Sequence, residues 1–151
     1  MQGQHTLNTS QYITNIIKAT LDYHEHFRTI YPQLASMYGK AKFRDECQTI
    51  KLSLPRGFGH TTAALSILDE YSNSIIIVNH RANGMPSEGI FVIEDIRDGS
   101  CDFDILAVIS NIRDGLDFVI ADDVKLTAED KEKIFKLFNP RLLILLGGIA
   151  C

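Results

Sequence analysis

The chain has 151 residues, enough for one domain with its own core. Apolar residues make up 45% and charged residues 23%, which excludes collagen-like, low-complexity and small disulfide-scaffold chains. A net charge of -4 and a pI of about 5.7 argue against a broadly basic nucleic-acid coat and leave room only for a local basic patch.

Residues 11–38 carry helical spacing, with Ile13, Ile16, Ile17, Leu21 and Tyr23 recurring on it after a Thr9–Ser10 cap. Pro32 interrupts the pattern, so two helices or one broken helix are expected. A glycine and a charged stretch, Gly39 to Glu46, close an N-terminal helical segment over 1–46. From 47 to 151 the pattern becomes strand alternating with helix, within one domain spanning 1–151. Thr49–Leu54 is short and β-rich, Pro55–Thr62 is a glycine-containing turn, and Thr62–Tyr71 has helical composition. Ser74–Asn79 is a continuous apolar run, as a strand buried on both faces should be. Ile90–Ile93 is a further short strand, and Asp104–Ile112 fits strand or helix equally. Asp117–Ala121 reads as a strand ending in two aspartates. Thr127 caps a helix through Ala128–Phe138, with Glu129 and Asp130 in its first turn, and Pro140 stops it. Leu142–Leu146 is a last buried strand before Gly147 and Gly148. The alternation predicts an α/β fold, a mostly parallel sheet sandwiched by helices. Ligands of such sheets sit beyond the strand C-termini, and both chemically suggestive segments directly follow strands.

The first such segment is LPRGFGHTT, residues 54–62. Gly57 and Gly59 permit a tight turn and close approach of backbone to a ligand, and the free N–H groups of the helix starting near Thr61 or Thr62 attract an anion. Set against GxxxxGK[ST], Leu54 stands for the first glycine, His60 for the lysine, and Thr61 supplies the hydroxyl. Arg56 lies inside the loop, within reach of phosphate. The same residues also read as a tight β–α turn with a threonine cap and no ligand. The second segment is Asp122–Asp123 at a strand end. A nucleotide hydrolase needs one carboxylate there for Mg²⁺ and one to polarise water, although paired acids also cap ordinary loops.

Three motifs also carry a family resemblance. PRGFGHTT, 55–62, resembles the nucleotide-binding loop of phage terminase large subunits, the ATP-driven DNA-packaging motors, whose loops often carry an arginine ahead of a G-x-G-K-[ST] or Q-x-G-K-[ST] ending. IRDGLDFVIADDV, 112–124, resembles their apolar strand ending in Asp-Asp or Asp-Glu, and RLLILLGG, 141–148, resembles the strand that couples hydrolysis to movement. The resemblance covers roughly residues 48–148 and implies an additional-strand, RecA-like P-loop NTPase core with no nuclease domain. It implies ATP and Mg²⁺ as ligands. Pro55, Arg56, Gly57, Phe58, Gly59, His60, Thr61 and Thr62 would line the phosphates, and Thr61 and Asp122 the metal. Arg56 and Asp123 would act in catalysis, with hydrolysis weakened by His60 in place of lysine. DNA or a protein of a DNA-processing or packaging complex is the implied partner, in an oligomer and, if the chain is viral, in the host cytoplasm. The alternative is a non-catalytic module that kept this fold and regulates a protein or nucleic-acid partner.

Other groups are weaker. His24 and His26 flank Glu25 at a spacing that points them apart on a helix. His80 and Arg81 follow a strand, and Lys40, Lys42 and Arg44 surround Phe43 as a small basic cluster. Glu94, Asp95 and Asp98 would rival Asp122 if their strand lay beside the loop. Cys47, Cys101 and Cys151 are widely spaced with no Cys-x-x-Cys pair, so free thiols in a reducing cytoplasm are expected and zinc is not. No apolar run reaches the roughly 18–20 residues of a membrane span, and Met1–Ser10 lacks the apolar centre of a signal peptide.

Overall fold

The computed structural model describes residues 9–26, 31–39, 43, 48–53, 60–71, 73–81, 89–110 and 116–147. Five strands, β1 (Thr49–Ser53), β2 (Ser74–Val78), β3 (Ile90–Val92), β4 (Phe118–Asp122) and β5 (Leu142–Gly147), form one sheet. Among the described residues six helices accompany them: α1 (Thr9–His26), α2 (Tyr31–Tyr38), α3 (His60–Glu70), α4 (Ile93–Asp98), α5 (Asp102–Ser110) and α6 (Ala128–Phe138). The sheet is all parallel, in the order β1-β5-β4-β2-β3.

Position in that order explains the strand sequences. β2 and β4 are interior, and all five residues of each are buried. β1 is an edge strand and carries the exposed Lys51 between half-buried Ile50 and Leu52. Alternate residues go to opposite faces. Ile75, Ile77, Val119, Ala121 and Leu143 pack with Ile93, Ile96, Ile105, Ile134, Phe135 and Phe138 of α4, α5 and α6. Ile76, Val78, Phe118, Ile120, Ile144 and Leu146 pack with Ile13 and Ile17 of α1 and with Ala63, Ala64 and Ile67 of α3. Ala63 and Ala64 are wholly buried, and their small side chains let α3 lie close to the sheet. α1, from the N-terminal helical segment, thus supplies part of this core, and Lys18 binds it to Glu70 of α3 at 2.9 Å.

Two expectations shift. Asp104–Ile112, undecided between strand and helix, lies in helix α5 as far as Ser110. Ile16 and Tyr23, read as members of the α1 apolar pattern, are 44% and 64% exposed, because Ile13, Ile17 and Leu21 are the pattern members that face the core. Pro32 sits in the first turn of α2, where a missing N–H costs no helical bond. Of the cysteines, Cys101 is free and buried, while Cys47 and Cys151 lie outside the described residues. No helix of the described residues is long and apolar enough to cross a membrane.

Candidate functional site

The strands end together. Ser53 is level with Gly147, Asp122 with Leu146, and Ala121 with Ile77, so Ser53, Gly147, Asp122 and Val78 form one edge. α3 starts at this edge and crosses from β1 toward β2, over β5 and β4. Its first turn therefore passes above Asp122. Thr61 Oγ1 donates a hydrogen bond to Asp122 Oδ2 at 2.6 Å. Asp122 is only 6% exposed, inside the β4–β5 ladder rather than after it. A carboxylate that deep needs donors, and the hydroxyl is one.

Asp123 leaves the strand sharply. Its φ is 56°, the left-handed region that a non-glycine residue adopts at some cost. Two neighbouring strands hold it there. Its N–H donates to the Leu146 carbonyl of β5 at 2.6 Å, and its carbonyl accepts from Asn79 Nδ2, just beyond β2, at 2.7 Å. Gly147 makes room for it: a Cβ there would lie 3.0 Å from Asp123 Oδ1 and 3.2 Å from Asp123 Cα. The Asp123 carboxylate therefore lies against the end of β5, the strand next to β1.

The expected site residues divide accordingly. Thr61, Asp122 and Asp123 meet at one edge, with Thr62 exposed on the same helical turn and His60 opening α3. Pro55, Arg56, Gly57, Phe58 and Gly59 lie outside the described residues. Asn79 and Gly147 escaped the sequence reading. Their only signal was position, each at the end of an apolar run.

The weaker groups fall elsewhere or take structural partners. Glu94, Asp95 and Asp98 sit on α4 after β3, the edge opposite β1, with three strands between. Glu94 pairs with Arg97 at 2.7 Å, and the Ser100 N–H holds the Asp98 carboxyl below its ordinary pKa. Arg81 Nη2 donates to the Ile90 carbonyl of β3 at 2.6 Å, and His80 is exposed. Glu25 pairs with Arg141, which also binds Asp117 at 3.1 Å. Phe43 is buried, whereas Lys40, Lys42 and Arg44 lie outside the described residues.

Among the described residues, no group of three or more histidine, cysteine or acidic side chains is placed to hold a metal. A hydroxyl and a carboxylate oxygen at 2.6 Å do suit a hard cation that takes few protein ligands, as Mg²⁺ does when substrate phosphates supply the rest. In comparisons with protein families, curated proteins and solved structures, the chain matches none.

Proposed function

We propose that this protein binds ATP with Mg²⁺ through a P-loop-type site related to terminase and helicase ATPase cores, and hydrolyses it slowly. The observation that carries the reading is the Thr61–Asp122 hydrogen bond. It joins the hydroxyl that ends the loop motif to the acid that ends the apolar strand, two residues 61 positions apart in sequence. Strand order adds support. One additional strand, β5, stands between the loop-bearing β1 and the acid-bearing β4, the feature for which the additional-strand class is named.

On this reading the amides around Gly57 and Gly59 and the α3 N-terminus receive phosphate oxygens, and Arg56 adds a guanidinium. Thr61 and Asp122 would hold Mg²⁺, which when bound neutralises charge on the phosphates. Asp123 orients a water in line with the terminal phosphate and accepts its proton. His60 replaces the lysine ammonium that normally reaches the β- and γ-phosphates with a shorter side chain. Turnover is accordingly slow. A packaging or DNA-processing complex, viral or otherwise, is the setting this chemistry suits.

Binding of ATP to the purified protein, with Mg²⁺ and with chelator, tests the proposal. Mg²⁺-dependent binding, weakened at least about tenfold by Arg56→Ala and by Asp122→Asn, is expected. No Mg²⁺-dependent binding by the parent protein would overturn it. His60 also favours a second reading, a non-catalytic module that binds a protein or nucleic acid. Phosphate release measured with and without DNA separates the two, and His60→Lys should raise it strongly if the remaining site is competent.

A further inference from the structure

The left-handed turn at Asp123 is held by two residues that the nucleotide reading does not use. Asn79 follows β2 and Gly147 ends β5, the strands flanking β4 on either side. A residue continuing β4 as extended strand would direct its side chain to the α4–α6 face with Val119 and Ala121. Asp123 turns at φ 56°, and its Oδ1 lies 3.0 Å from where a Gly147 Cβ would be. The turn thus sets the carboxylate against the end of β5, at the bare backbone of Gly147.

We infer that Asn79 and Gly147 are positioning residues for Asp123. The Asn79 amide fixes the carbonyl of the turn from one side, and the bare backbone of Gly147 receives the carboxylate on the other. The proposal rests on the nucleotide reading for what Asp123 does, but not for how Asp123 is held.

The test uses the full chain with Asn79→Ala, Asn79→Asp and Gly147→Ala, and two readouts. The first is hydrogen exchange and chemical shift of the Asp123 amide by NMR, which needs no nucleotide. Both Asn79 variants should speed that exchange about tenfold, because Asn79→Asp keeps the size of the side chain but loses its donor. Gly147→Ala should shift the Asp123 resonance, since the new methyl displaces the carboxylate. The second readout separates ATP affinity from turnover. Affinity should stay within about threefold, while phosphate release falls about 10- to 100-fold, the effect of misplacing a reacting group by under an ångström or so. An unchanged Asp123 amide in all three variants overturns the clamp. A changed amide with unchanged turnover overturns its functional role. If the parent binds no Mg·ATP, the nucleotide reading and the functional role fall together, and the amide readout still decides whether the clamp exists.

Discussion

A buried carboxylate at a strand end is stable only with donors around it, and this shapes what each residue of the edge tolerates. Thr61 gives Asp122 a hydroxyl at 2.6 Å. Thr61→Ser keeps the hydroxyl, whereas Thr61→Val keeps the shape and removes it. Urea unfolding should therefore find Thr61→Ser close to the parent and Thr61→Val less stable by about 1–3 kcal/mol. Equal stability of the two would mean that the bond carries no weight. This pairing was half legible in the sequence. A threonine after a glycine turn and an acid after an apolar run each announce themselves locally. Asp123 was legible as an acid but not as a left-handed residue, because Asn79, Leu146 and Gly147 become its neighbours only once β2 and β5 flank β4. Cys101 shows the same division: its sequence context gives a free thiol, while burial, aided by Asp95, Asp102 and Asp104, raises its pKa and makes it a poor nucleophile.

At the scale of elements, the most legible parts were those with a single possible cause. β2 and β4 read as buried strands because every residue up to the closing acid of β4 is apolar or small, and α6 read to the residue because its cap is written in the chain. α5 was ambiguous because Phe103 and Leu106, 83% and 63% exposed, fill positions where polar residues would have revealed the period. The α6 cap reaches further than the helix. Thr127 and Asp130 exchange side-chain-to-backbone bonds at 2.9 and 3.1 Å, and Arg97 of α4 grips Asp130 through Nε at 3.1 Å and Nη2 at 2.8 Å. Burial pushes the Asp130 carboxyl up, but Arg97 and the Thr127 N–H outweigh it and hold it below the ordinary 3.8. The folded pKa lies below the unfolded one, so this stabilisation is complete above pH 3.8 and fades as pH falls through the folded value. Asp130→Asn should cost about 1–3 kcal/mol at pH 7, and the gap to the parent should narrow below pH 3.8. A gap independent of pH would show that the charge of Asp130 contributes nothing. Arg97 is 36% exposed, so solvent screens its share.

For the whole molecule, the direction of each crossover determines where a ligand can enter. The chain runs from β1 through α3 to β2 on one face, and returns from β3 through α4, α5 and α6 to β4 and β5 on the other. Opposite directions must use opposite faces if all crossovers keep one hand. The helix after β1 and the helix after β4 therefore leave on opposite sides, and in open α/β sheets such a divergence places the ligand crevice beyond the carboxyl ends of the strands, here at β5. Thr61 comes from α3, and Asp122 and Asp123 from the end of β4. A ligand that fills this crevice touches α3, β4 and β5 together and should stabilise the whole fold, since these elements share the core. Mass action sets the size. At a concentration about 100 times its Kd, a ligand of the folded state adds roughly 2.7 kcal/mol, worth about 5–10 °C in melting temperature for a chain of this length. Mg·ATP should produce such a shift in the parent and in Asn79→Ala, whose metal-side residues are intact, and should lose most of it in Asp122→Asn. Calorimetry with ATP plus chelator provides the control. A shift that survives in Asp122→Asn would place the nucleotide away from the crevice, and with it would go the assignment of Thr61 and Asp122 to the metal.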